Sequence, residues 1–159
     1  MVDNAEQFIA QSREFLISDY LPKIERCLKA LSDEDVWWRE GEGSNSIGNL
    51  LLHLDGSTRM WVVGVAGNSP VTRDRQQEFD ERRHIPRAEL ISRLRQTLAE
   101  ADEALARLGA RELSERRQAR GEEVTVSWAV YHAVEHFAMH TGQIIMLAKM
   151  RSQGLRLSD

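Results

Sequence analysis

The chain has one cysteine, no surplus of basic residues and no long apolar run. Each absence removes a class of protein. A single cysteine, Cys27, cannot close an internal disulfide, which fits a reducing compartment. It sits between Arg26 and Leu28 in a helical pattern with no histidine near it in sequence, so it reads as a packing residue rather than a reactive thiol. The longest apolar stretch, Met60 to Ala66, contains a glycine and is far shorter than the ~18 residues a membrane span needs. A formal charge of −4 leaves no excess of lysine and arginine to neutralise phosphates, so no nucleic-acid partner is expected. The pairs Arg82-Arg83 and Arg116-Arg117 each follow a glutamate and read as solvated surface. The opening MVDNAEQF has neither the basic nor the apolar part of a secretion signal, and a cytoplasmic location is expected. No G-x-S-x-G elbow, P-loop or Rossmann glycine pattern occurs, which removes nucleophilic-serine and nucleotide chemistry.

What is present is helical periodicity, in an amount of chain suited to a single domain spanning residues 1–159. The first helix is expected from about Asn4 to Leu31, kinked at Pro22, because proline lacks a backbone donor and crowds the preceding turn. Ser44-Asn45-Ser46 supplies capping oxygens for a second helix from Ile47 to about Gly67, apolar around most of its circumference and therefore central. A polar stretch from Val71 to Ile85 reads as a long loop with room for one helical turn. Pro86 starts a third helix that ends at Gly109. A polar connection from Arg111 to Glu123 leads to a fourth, from about Thr125 to Met150. Nothing reads as a strand. The expected fold is all-α, a four-helix bundle. Its two longer connections leave room for a variant of up-and-down order. The second helix is apolar on more than one face, which suggests a homodimer, although a four-helix core could bury it all.

Three of the five histidines fall in HAVEHFAMHTGQ, His132 to Gln143, each four residues from the last. On a helix that spacing stacks side chains on one side, the geometry with which two imidazoles reach one ion. Relative to the apolar stripe through Val130, Ala133, Phe137 and Ile144, His140 lies roughly 55° from the centre, His136 roughly 95° and His132 roughly 135°. His140 points inward, His136 sits on the flank and His132 belongs at the rim. A buried imidazole without a partner costs on the order of 1–3 kcal/mol, so inward histidines imply either a hydrogen bond or a ligand role. His53 adds to the second option, because it interrupts the most apolar helix of the chain, within LLLHLDG. Two histidines on one helix and a third from another suit an open, catalytic metal site. The zinc-protease pattern H-E-x-x-H is missing, since Phe137 follows His136.

A histidine early in the second helix followed by H-x-x-x-H-x-G-Q in the fourth resembles the DinB-like (DinB/YfiT) superfamily. The matching residues are His53 and His136 to Gln143, with SNSIGNLLLHL (Ser44 to Leu54) and RDRQQEF (Arg73 to Phe79) resembling one small branch. The resemblance runs over nearly the whole chain. It implies a four-helix bundle, often dimeric, that holds a divalent metal through His53, His136 and His140, with His132 outside the ligand set. Zinc or nickel suits such a site best, and iron or manganese is tolerated. Several relatives transfer low-molecular-weight thiols, so the resemblance implies a small-molecule substrate and thiol-dependent S-transferase chemistry. A metal-dependent hydrolase and a non-catalytic metal-binding or stress-related bundle stand as alternatives, as does a plain helical dimerisation module with internally satisfied histidines.

Secondary roles follow for several residues. Gln143 is placed to orient a ligand histidine or a bound water. Arg59, Arg73 or Arg75 could receive the anionic groups of a thiol cofactor. Asp55 and Glu135 are weak candidates for proton carriers, each beside a ligand position without sharing its face. Gly142 reads as a point of close helix approach, and Trp61 and Phe137 as core.

Overall fold

Ser46 starts the second helix as its neighbours predict. Its hydroxyl accepts from the Asn49 backbone N–H, and the Asn49 side chain accepts in return from the Ser46 N–H, a reciprocal cap. The computed structural model describes residues 4–152 and 154–156. In chain order it contains α1 (Asn4–Glu14), α2 (Leu21–Lys29), α3 (Asp33–Trp37), α4 (Ile47–Thr58), α5 (Arg75–Asp80), α6 (Arg87–Ala106), α7 (Ala110–Leu113), β1 (Arg116–Ala119), β2 (Glu122–Thr125) and α8 (Val126–Arg151). Four long arms form the bundle: residues 4–29, residues 47–66, α6 and α8. The second arm packs against α6 and α8, and the first arm packs against the same two helices. The first two arms therefore face each other diagonally, which is the departure from simple sequential order that the longer connections allow. Among the described residues, no helix is long and apolar enough to cross a membrane.

Three features differ from the sequence expectation. The first arm holds more than the proline at its expected kink. A π-helical segment, Phe15–Tyr20, precedes it, and α2 begins with the proline in its first turn. The wider π turn removes the need for the missing proline donor and relieves crowding against the preceding carbonyl. A second π-helical segment, Arg59–Ala66, continues α4. The stretch read as wholly polar connection holds an antiparallel hairpin, with Ala119 paired to Glu122 across the two-residue turn Arg120-Gly121. Both turn residues have positive φ, 54° and 87°. That turn type is usually signalled by Asn-Gly or Asp-Gly, and an arginine in its first position hides it.

One apolar cluster runs through all four arms, with Leu16, Ile24, Leu54, Leu94, Leu98, Phe137 and Ile144 almost wholly buried. Cys27 is inside it, and burial pushes its thiol up to about 11, so it is a packing residue. Tyr20 stacks on Phe137 at 6.0 Å, joining the first arm to the histidine-bearing helix.

Candidate metal centre

Two helices deliver three imidazoles to one point. His53 on α4 is buried, as is His140 on α8, and His136 is half-buried one turn before it. Nε2 of His53 lies 3.1 Å from Nε2 of His136, and Nε2 of His140 lies 3.2 Å from the same atom. The ligand-capable atoms of all three residues fall within 4.8 Å of one another. His140 is buried while His136 and His132 are both half-buried, which agrees with the inward place the helical wheel gives His140.

Behind each ring, the second nitrogen has a partner. His140 Nδ1 is 2.7 Å from Gln143 Oε1, as expected of Gln143. His136 Nδ1 is 3.3 Å from the Ser57 hydroxyl, one turn beyond His53 on α4. His53 Nδ1 is 2.8 Å from Glu78 Oε2. Arg73 Nη2 also lies 3.1 Å from that Nδ1, but it donates to Glu78 Oε2 at 2.8 Å while Nε donates to Oε1 at 2.6 Å. The carboxylate can only accept, so it takes the His53 Nδ1 proton, and the guanidinium serves the carboxylate.

Glu78 and Ser57 are the functional residues that sequence reasoning missed. Glu78 reaches His53 because α5 is fastened to one face of α4. Asp74 caps α5 through the Gln76 and Gln77 N–H groups. The Asn49 amide donates to the Glu78, Phe79 and Glu81 carbonyls. One turn past His53, Gly56 leaves the space the carboxylate fills, since a Cβ there would lie 2.1 Å from Glu78 Oε1. A glycine inside an otherwise strong helix, and an aspartate heading a short polar run, were the available signals.

Other expectations are corrected. Arg73 is committed to Glu78, and Arg59 is committed to Glu100 and Thr97, so neither offers a free cation. Asp55 faces α6, where it accepts from the Thr97 hydroxyl, and Glu135 lies 3.5 Å from His132. Neither reaches the three imidazoles. Gly142 mediates no close approach within the chain, because nothing lies within 4 Å of where its Cβ would be. Arg75 is exposed and sits over the Phe79 ring, 4.8 Å from its centroid, and that ring is 4.6 Å from His53.

Electrostatics favour the neutral form of His136 and His140. Burial, reinforced by the neighbouring His140, His53, His132 and Arg73, lowers His136 from an ordinary 6.5 to about 3. Burial also lowers His140, against the opposing effect of Gln143. Burial works against an ionised Glu78, but hydrogen bonds from Arg73 and His53 outweigh it and hold the carboxyl below its usual range. His53 and His140 turn Nδ1–H outward to Glu78 and Gln143, so their Nε2 atoms face inward. His136 can direct one Nε2–H toward one neighbour and not both. More lone pairs converge than protons exist to bridge them, a donor set that fits a cation.

Two expected outcomes follow. Gly56→Ala should force the Glu78 carboxylate from its place. Breaking a buried ion pair costs about 3–5 kcal/mol, against about 1 kcal/mol gained from the better helix former. Urea denaturation should therefore show net destabilisation, and a stabilised variant would show that the carboxylate is not held. The second concerns pH. His136 binds a proton more readily unfolded than folded, so its contribution to stability is full above 6.5 and falls as pH drops from there toward about 3. Urea midpoints measured across that window should decline, and the decline should flatten in His136→Gln.

A family model described as mycothiol-S-transferase matches residues 13–149. Among solved structures, a DinB-like protein from Bacillus cereus ATCC 10987 superposes with a TM-score of 0.71 over 95% of this chain and 94% of that one, at 15% identity. No curated protein matches the sequence. The structural neighbour speaks for the fold and the family model for descent, and together they show that this chain belongs to the mycothiol S-transferase family of DinB-like proteins.

Proposed function

We propose that the chain is a single-domain, metal-dependent transferase that joins a low-molecular-weight thiol to a small electrophile. The observation that carries this reading is the convergence of three imidazoles with their Nδ1 positions engaged from behind. His53, His136 and His140 would hold one divalent ion, zinc or nickel by preference, with iron or manganese as substitutes. Such an ion acidifies a bound thiol or water and so supplies a nucleophile near neutral pH. The family name supports a thiol of the mycothiol kind as the cosubstrate.

The residues of the chain supply orientation, charge and exclusion of water. Glu78, kept ionised by Arg73, holds the proton on His53 Nδ1 and fixes that ring with Nε2 inward. Gln143 does the same for His140, and Ser57 steadies His136. Phe79 lies tilted against His53 and shields it. Arg75, on the outer side of this wall, has no carboxylate in contact among the described residues and would receive an anionic group of the thiol. The test is elemental analysis of protein purified without a histidine tag, beside His140→Ala. Near one metal per chain, lost in the variant, is expected, together with thiol consumption against electrophiles by the parent alone. A parent that neither carries nor takes up metal would overturn the reading.

The homodimer needs a different face from the one first considered. The second arm buries its apolar side chains within the chain. On α8, Tyr131, Met139, Met146 and Met150 form an exposed apolar stripe opposite the buried face, with bare Gly142 among them. We assign the self-association surface there. Sedimentation should give a dimer mass for the parent and a monomer for Met146→Glu, and a monomeric parent would contradict it.

A further inference from the structure

The two helix faces that meet at the three imidazoles continue past them. On the second arm Ser57 and Trp61 follow His53 at intervals of four, and on α8 His132 and Trp128 precede His136 at the same interval. The rings form an unbroken series. His132 is 5.5 Å from His136, Trp61 is 5.0 Å from His132, and Trp128 is 4.9 Å from His132 and 5.3 Å from Trp61. His132 and Trp128 lie nearly parallel, with 14° between their planes, whereas Trp61 stands edge-on to both at 83° and 69°. Together they make two walls of a slot.

The hairpin makes the third wall. Ala119 and Val124 face the rings across a cavity of about 350 Å³. Arg120 and Glu122 stand at its exposed side, one charge of each sign, so the lining selects no net charge. The hairpin is held in place by Arg117, whose guanidinium donates to the Val65 and Ala66 carbonyls at 2.9 and 2.6 Å, at the end of the second arm. Trp128 keeps 45% of its surface exposed, although Trp61 beside it keeps only 6%. An indole so exposed in a cavity wall is apolar surface that a flat ligand would take out of water.

We propose that this cleft is the subsite for the electrophile, and that it receives a flat, uncharged aromatic or conjugated group against Trp61, Trp128 and His132. One to two helical turns separate it from the imidazole cluster, on the order of 6–10 Å. A ring bound in the slot would therefore present a substituent toward His136. His132, which the sequence places outside the ligand set, gains a role as part of the aromatic wall, steadied by Glu135 at 3.5 Å. The assignment of the ligand as the electrophile rests on the transferase reading. Binding of a flat neutral ring does not.

The experiment uses the full chain and N-phenyl-1-naphthylamine, a neutral probe that brightens in apolar surroundings and quenches nearby tryptophans. The parent should bind it saturably, and Trp128→Ala and His132→Ala should each weaken binding about three- to tenfold, the range for loss of one aromatic contact. Phe8 lines a neighbouring groove with Trp128 but not this cleft, and Phe8→Ala should leave affinity unchanged. Thermal melts confirm that each variant folds, and metal content is measured on the same samples. Weakening in both cleft variants supports the subsite whether or not the chain carries metal. Affinity unchanged in His132→Ala, or lost in Phe8→Ala instead, overturns the subsite, and an undiminished metal content in those samples leaves the three-histidine reading standing.

Discussion

A shortage of protons among three inward-facing imidazole nitrogens is the constraint around which the rest of this bundle is arranged. His136 can hydrogen-bond to one neighbour only, so one of the contacts at 3.1 and 3.2 Å sets lone pair against lone pair and must be held by the surrounding structure. His136 and His140 share one stiff helix, which fixes the distance between their backbones. His53 comes from a different helix and is the member free to escape. It is also the one with the strongest restraint, a buried carboxylate itself gripped twice by Arg73. The firmest polar contacts lie where the repulsion could otherwise be relieved.

The second arm is built to serve this arrangement on two faces. One carries Asn49, His53, Gly56 and Met60, the face on which α5 and Arg73 are seated. The other carries the apolar residues that join it to α6 and α8. This explains a helix apolar around most of its circumference yet broken by a histidine, an asparagine and a glycine. Gly56 weakens the helix by about 1 kcal/mol relative to alanine, and the loss is offset by admitting the Glu78 carboxylate.

The fold was legible because its long helices carry strong periodicity and Ser46 and Pro86 mark two of its starts. His136 and His140 were legible for the same reason, since their places on the wheel follow from spacing, whereas His53 was joined to them only through the family resemblance. Glu78 was not, because its position depends on how residues 67–74 turn back onto α4. Local sequence does not encode the reach of an irregular segment, and the four acidic residues of that polar stretch read alike. Arg73 was singled out for its charge, but only tertiary structure reveals that the charge is already paired. The hairpin was missed for a narrower reason, the arginine in a left-handed turn position.

Charge balance connects the site to its chemistry. Burial favours the neutral form of His136 and His140, and the negative charge of Glu78 is matched by the positive charge of Arg73. A carboxylate bound directly to a divalent ion would cancel part of its positive charge and weaken its pull on a thiol. Glu78 instead acts one residue away, through the His53 ring, and raises that ring's donor strength without approaching the centre. A neutral ligand set thus leaves the greatest share of an ion's charge to acidify what binds it. The buried Arg73–Glu78 pair is justified on this account by orientation rather than by stability, since buried ion pairs contribute little to folding on their own.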